Sequence, residues 1–215
     1  MPDFILREYR AGDIPALSRL WKTAFEASDA LIADFFRLLP EMGTGLVAVL
    51  ENRIAGAAYV ITGMELINGE GRPVPCGYLY AVATGESCRG LGIGSALSRS
   101  AGEEARRRGA AFLCTLPASE SLYGWYRELL GVEPALFRAA FPAACTPGEP
   151  VIPISAADYG QRREALLKGI PHLRLSPPAL GFQQRLCAAY GGGFYAVGRG
   201  ICAAYREGET AVIRE

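Results

Sequence analysis

The stretch Val82-Ala83-Thr84-Gly85-Glu86-Ser87-Cys88-Arg89-Gly90-Leu91-Gly92-Ile93-Gly94-Ser95 carries an apolar strand into a glycine-rich turn that opens a helix. N–H groups in the first turn of a helix have no intrahelical acceptor and lie at the positive end of the helix dipole. An anion placed there meets donors and favourable charge together. Gly90, Gly92 and Gly94 put no Cβ between such a ligand and the main chain. The combination predicts a diphosphate site. Three other readings remain open at this point. A dinucleotide fingerprint, G-x-G-x-x-G, needs its third glycine where Ser95 stands. A Walker loop needs a lysine that does not follow. A plain glycine turn would only close a strand–helix connection.

The flanks separate these readings. Arg89-Gly90-Leu91-Gly92-Ile93-Gly94 closely resembles the R/Q-x-x-G-x-G turn of the GNAT superfamily of N-acetyltransferases. Upstream, Tyr78-Leu79-Tyr80-Ala81-Val82-Ala83-Thr84 looks like that family's fourth strand. Downstream come a helix over 93–109, a buried strand over 111–116, and Leu122-Tyr123-Gly124-Trp125-Tyr126-Arg127-Glu128-Leu129-Leu130-Gly131, which resembles its tyrosine-bearing helix. The ordered set spans roughly residues 4 to 141 and is more specific than any single motif. The resemblance implies an α/β (α+β) GNAT fold, with a mixed, mostly antiparallel central sheet flanked by helices, and acetyl-CoA as co-substrate. It further implies that the main chain of Val82, Ala83 and Thr84 pairs with the pantetheine arm. Arg89, Gly90, Leu91, Gly92, Ile93, Gly94 and Ser95 would then cradle the diphosphate.

The chemistry implied is attack of a neutral primary amine on the thioester carbonyl, followed by departure of a thiolate. The N–H of Val82 would polarise the carbonyl as charge develops. Tyr126 is the candidate general acid, since a phenol of pKa near 10 suits a leaving thiolate. Tyr123, three residues earlier on the same helix face, competes for the role. The chain departs from the family pattern in three places. Tyr126 and Gly131 are separated by one residue more than usual, Glu86 stands where a proline is common, and no Asp or Glu lies between Cys76 and Thr84. Glu41, Glu65 and His172 are left as candidate bases. Two rival functions stand beside acetyl transfer: a degenerate GNAT that senses acetyl-CoA without turnover, and a module binding another diphosphate-bearing nucleotide.

Composition bounds these readings. The 215 residues are half hydrophobic, enough for one large domain or one domain plus a smaller one. Lys plus Arg and Asp plus Glu are each 22, so the net charge of zero gives no electrostatic case for nucleic acid or an anionic membrane. No apolar run approaches the ~20 residues of a bilayer span, and charge at Asp3, Arg7 and Glu8 argues against a signal peptide. Six scattered cysteines without C-x-x-C, and one histidine, indicate neither a metal site nor a disulfide framework. Reduced thiols in a cytoplasmic protein are the expectation.

Along the chain, alternation predicts a strand over 4–9. Asp13 is the expected N-cap of a helix carrying Ile14, Leu17, Leu20, Trp21 and Phe25, and Ser28 or Asp29 caps a second helix through Leu39. Strands over 46–50 and 54–61 form a hairpin around Asn52-Arg53. Glu103–Arg107 and Glu104–Arg108 are expected i,i+4 pairs on an exposed helix face. Arg106-Arg107-Arg108 reads as a solvated helix end.

A second signal is an internal repeat. Gly45-Leu46-Val47-Ala48-Val49 followed by Ile54-Ala55-Gly56-Ala57-Ala58-Tyr59 is echoed by Gly193-Phe194-Tyr195-Ala196-Val197 followed by Ile201-Cys202-Ala203-Ala204-Tyr205. Arg37-Leu38 and Arg185-Leu186 precede each copy by the same interval. Two units are therefore expected: a catalytic domain over 1–142 and, after a linker over 142–153, a smaller α/β segment over 151–215. That segment holds two helices and a β-hairpin but no diphosphate turn. An isolated hairpin cannot bury its apolar face, so this one is expected to pack on the first domain or to pair two chains as a homodimer. Either would help wall a pocket for an amine-bearing acceptor.

Overall fold

The computed structural model describes residues 3–131, 148 and 150–214. The stretch 132–141 that ends the resemblance, and most of the expected linker, lie outside them. The chain begins with β1 (Ile5–Glu8), α1 (Ile14–Phe25), α2 (Asp29–Met42), β2 (Gly43–Leu50), β3 (Arg53–Ile67) and β4 (Pro73–Thr84). It continues through α3 (Ile93–Arg107), β5 (Phe112–Cys114) and α4 (Glu120–Leu130). The first sheet runs β1-β2-β3-β4-β5, antiparallel except for the parallel β4–β5 pair. This is the mixed, mostly antiparallel sheet that the sequence led us to expect.

Helices cover both faces of that sheet. On one, α1 and α2 bury Leu17, Trp21, Phe35 and Leu39 against Val47, Ala57 and Tyr59. The indole of Trp21 donates to the Tyr59 hydroxyl at 3.0 Å, so the deepest polar atoms of this layer satisfy one another. On the other, the α3 stripe Ile93, Leu97, Ala101 and Ala105 packs on Leu46, Ala48, Ala58, Val60 and Leu79. Small residues on both sides let α3 lie close to the strands.

Local chemistry departs from expectation in several places. Asp13 precedes α1, but its carboxylate does not cap that helix: it takes two hydrogen bonds from Arg7 and one, at 2.7 Å, from the Arg10 N–H. Pro15 removes one of the donors a cap would satisfy. Ser28 does cap α2, accepting from Leu31 N–H, and the helix continues past Pro40 to Met42 because only the last turn is affected. The hairpin turns at Glu51 and Asn52, whose φ values of 48° and 60° mark a type I′ turn. The strand expected over 111–116 is only three residues long and is not buried, for it lies at the sheet edge with Phe112 36% exposed. Arg107 turns to Glu104, which it shares with Arg108, and Arg108 also reaches Glu8 at 3.0 Å. Two of the three arginines are thus tied to carboxylates.

The second half contains β6 (Val151–Pro153), α5 (Ala156–Leu166), β7 (His172–Arg174), α6 (Pro177–Ala189), β8 (Gly193–Val197), β9 (Gly200–Glu207) and β10 (Thr210–Arg214). The strands β6, β7 and β10 were not expected from sequence. An antiparallel sheet ordered β10-β9-β8-β6 packs one face on α5 and α6, with Tyr159 stacked on Phe194 at 4.0 Å. The segment docks on the first half at two places. Phe182 of α6 meets Phe35 of α2 at 5.3 Å, and β7 pairs with the far end of β3, Glu65 to Ile67.

Both halves run strand, helix, helix, hairpin, with β1 on β2 and β6 on β8, but in the second β7 stands between the two helices. A Cβ built at Gly43 would lie 1.9 Å from the Val60 carbonyl oxygen, and one at Gly192 would lie 1.9 Å from that of Ala204. Gly43 and Gly192 thus sit in like surroundings, one residue out of step with the sequence register that set Gly45 against Gly193. Tyr190 and Gly191 intervene between α6 and Gly192, whereas Gly43 follows α2 directly. A one-residue slip moves a strand's side chains to the other face. Accordingly Phe194 packs inward on α5 and α6, while Leu46, its sequence counterpart, faces α3.

Candidate active site

The path of β4 creates an opening. Ala57 pairs with Ala83 and Tyr59 with Tyr80, so β4 holds one residue more than β3 over this interval. The extra residue forms a bulge at Ala81, whose φ of 48° is unusual for a non-glycine. On the other side, β5 pairs with β4 only from Cys76 to Tyr78, and the Thr115 hydroxyl then donates to the Leu79 carbonyl at 3.0 Å. Beyond Leu79 this edge of β4 has no strand neighbour among the described residues. Val82, Ala83 and Thr84 therefore lie on an open, bulged edge. The side chain of Ala83 is buried, so what it offers is main chain.

The edge leads directly into the glycine turn. Gly85 N–H still reaches Ala55 O at 2.8 Å, a single 3₁₀ turn spans Glu86–Cys88, and Arg89 is extended. Gly90 and Gly92 have φ of 79° and 78° with nothing within 4 Å of a Cβ, so backbone conformation and not crowding selects glycine there. Gly92 is the N-cap of α3 and supplies no side-chain cap, and the first helical bond runs from Ala96 N–H to Gly92 O. The amides of Ile93, Gly94 and Ser95 precede it and are left for an external acceptor. An open cleft of about 380 Å³ lies over them, lined by Thr84, Arg89, Gly90, Gly94, Ser95 and Trp125. Arg89 is exposed at its rim. Ile93 is buried and Leu91 packs on the core, so each offers main chain only. This uncapped amide cradle, with its free space and one guanidinium, fits a diphosphate.

The two candidate acids are placed differently. Tyr126 is 7% exposed, edge-on to Trp125 at 4.6 Å, whereas Tyr123 is 42% exposed. Burial raises the Tyr126 pKa, and the neighbouring Thr115 hydroxyl opposes this in part. Because Thr115 donates to Leu79 O, Tyr126 is anchored beside the open edge of β4. Gly131, with φ of 64°, ends α4.

The candidate bases are not brought to this place. His172 has both ring nitrogens engaged, Nδ1 with Ile170 O at 2.7 Å and Nε2 with Glu164 at 3.2 Å. Glu65 is held by Arg174 at 3.1 Å, and Glu41 is exposed at the end of α2. Trp125, which walls the cleft, was missed from the sequence; its only signal was its place beside Tyr126 on an amphipathic helix. A second hollow, about 550 Å³, lies at the α1 side between Arg19, Asn52, Arg53 and Glu86. Among the described residues there is no His, Cys, Asp and Glu cluster able to hold a metal, and no helix is long and apolar enough to cross a membrane.

Comparison with known proteins agrees with this geometry. The Trypanosoma brucei acetyltransferase Tb11.01.2886 superposes with a TM-score of 0.53 at 22% identity, covering 66% of this chain and 100% of that one. A GCN5-related N-acetyltransferase from Kribbella flavida gives 0.65 at 17% identity and covers 98% of this chain, which spans 57% of that longer one. The aminoglycoside N-acetyltransferase AAC(6')-Iy in complex with CoA gives 0.56 at 17% identity over 66% of this chain and 96% of its own. No curated protein matches by sequence. The family described as acetyltransferase (GNAT) domain matches residues 6–127. A bulged strand opening onto an uncapped helix thus sits inside a matched domain that covers more than half of the sequence, and the chain belongs to the GNAT acetyltransferase family.

Proposed function

We propose that this protein transfers an acetyl group from acetyl-CoA to a primary amine by direct attack. The observation that carries the reading is the continuity between the bulged, unpaired edge of β4 and the uncapped amides of α3 across one cleft. The amides of residues 93–95, with Arg89, hold the diphosphate, and the main chain of Val82 to Thr84 takes the pantetheine amides as a further strand would. Holding amine and thioester together replaces on the order of 7–11 kcal/mol of entropic and reorganisation cost. The Val82 N–H lies next to the bulge, where it can donate to the carbonyl oxygen as negative charge builds. Tyr126 supplies a proton to the departing thiolate. Burial raises its pKa, which keeps it protonated at neutral pH and able to donate to a thiolate. Since the three candidate carboxylate and imidazole bases are engaged or exposed elsewhere, the ammonium proton leaves through water. The segment 151–215 is, in this reading, a partial second copy of the domain's first half, without a diphosphate turn and without a second acetyl-CoA.

A thermal-shift series tests the binding half. Acetyl-CoA and CoA at a hundredfold excess over Kd stabilise by about 2.7 kcal/mol, while NAD and ATP do not. Thiol release with a pooled amine library tests turnover. Binding without release would establish the sensor reading, which the absence of a carboxylate along β4 favours; binding of NAD or ATP alone would establish the nucleotide reading.

A further inference from the structure

We infer that the hollow on the α1 side of the sheet is a second ligand site, built for an organic carboxylate: Arg19 of α1 and Arg53 of the β2–β3 hairpin line it above an apolar floor of Leu20, Val49 and Ile54. The inference goes beyond the acetyl-transfer reading and does not depend on it.

The floor comes from a second irregularity in the sheet. Ala48 pairs with Gly56 and Val49 with Ile54, so Ala55 is an extra residue in β3. Strict alternation from Ala57 would turn Ile54 towards α3. The extra residue, which itself packs on the α3 side, returns Ile54 to the α1 face, where it joins Val49 and Leu20 on one core. The Ala55 carbonyl also takes the Gly85 N–H at 2.8 Å, and Gly85 and Glu86 form part of the wall. Another part is the Arg7–Asp13 pair, joined by two hydrogen bonds of 2.6 and 2.9 Å, so that these two charges neutralise each other. The enclosed space of about 550 Å³ falls within the about 300–1,000 Å³ usual for a small-molecule site.

The remaining charges decide the ligand. Arg19, Arg53 and Glu86 line the hollow and form no ion pair among the described residues. Lys22, one turn after Arg19 on α1, is instead held by Asp29 at 2.6 Å. Two guanidinium groups against one carboxylate leave the described lining with an excess of one positive charge. A singly charged carboxylate balances that excess, and its two oxygens match the planar donors of a guanidinium. A phosphate near −2 would exceed it and would face Glu86 as a like charge. The floor calls for an apolar body behind the carboxylate, since covering Val49 and Ile54 removes hydrocarbon from water. Glu86, which stands where the family commonly has proline, lines this hollow, while Thr84 lines the cleft over α3. The two sites adjoin at the end of β4 and share no lining residue.

The test uses the full chain, titrated with hexanoate, hexylamine and inorganic phosphate while the backbone amide NMR signals of Arg53, Ile54 and Gly85 are followed. Hexanoate is expected to bind at least about tenfold more tightly than hexylamine, which has the same body and the opposite charge, and about fivefold more tightly than phosphate. Arg19→Gln and Arg53→Gln should each weaken hexanoate about fivefold, whereas Lys22→Gln should leave it unchanged. Both arginines are exposed, so these variants keep the fold. Glu86→Gln should narrow the preference for hexanoate over phosphate by about threefold or more. Saturating CoA should leave hexanoate bound. Failure of hexanoate to bind, equal binding of hexylamine or phosphate, displacement of hexanoate by CoA, or a loss in Lys22→Gln as large as in Arg53→Gln overturns the inference. Failure of CoA itself to bind would count against the acetyl-transfer reading alone, and the hexanoate titrations would still decide this site.

Discussion

The β2–β3 and β8–β9 hairpins are built alike and lead to different ends. Each follows two helices, and each starts at a glycine pressed against a carbonyl of the opposite strand, Gly43 on Val60 and Gly192 on Ala204. In the first half the chain goes on through a bulged strand and a glycine turn into α3, which covers the outer face of the sheet. In the second half the corresponding face carries Tyr195, Val197, Cys202 and Ala204, and the described chain ends soon after with β10. The shared scaffold places strands. The proposed acetyl-CoA site lies in what is attached after the hairpin.

The largest effect expected from breaking this parallel comes at the paired glycines. Gly43→Ala and Gly192→Ala each force a methyl group into a backbone carbonyl, so both should destabilise by about 3 kcal/mol in urea or thermal melts. If Gly192→Ala were tolerated while Gly43→Ala was not, the two hairpins would not be equivalent. Next is Tyr126→Phe, which should cut turnover about a hundredfold while leaving acetyl-CoA affinity unchanged. Because burial raises this pKa, the acid stays protonated to about pH 10, and wild-type turnover should fall only above that limit. The Phe variant should lack that limb; full activity in it would move the acid role to Tyr123 or water.

Gly92→Asp should weaken acetyl-CoA binding about tenfold or more by placing a carboxylate among the amides of α3, whereas Gly191→Asp in the second half should leave it unchanged. Equal losses would mean that affinity does not depend on the turn. The smallest effect is at the joint between halves. Arg37, then Arg185, hold the Asp34 carboxyl below the usual range, so its stabilisation is complete above about pH 3.9 and fades as pH falls through the lowered value. Asp34→Asn should cost about 0.3–1 kcal/mol at pH 7, and progressively less as pH falls through that lowered value, read from melting curves.

The glycine turn was legible because Gly90 and Gly92 adopt backbone angles that few other residues accept, so sequence and conformation are tightly linked there. The α3 stripe was legible for the same kind of reason, since Ile93, Leu97, Ala101 and Ala105 repeat at helical spacing. The bulge was not legible. Ala81 carries a positive φ imposed by the mismatch between β3 and β4, and alanine gives no local sign of it. Three-residue strands such as β7 carry too few alternations to register, and their pairing is decided by tertiary contact. The likeness of the two hairpins was visible in sequence, but the one-residue offset between their buried faces was not, because apolar residues occupy both faces of β8 and β9.

The strand β7 belongs by sequence to the second half and by hydrogen bonding to the first. A cut anywhere before residue 172 would strip the end of β3 of that partner. Removing the C-terminal segment is therefore expected to fray the far end of β3, which hydrogen exchange at residues 65–67 would report.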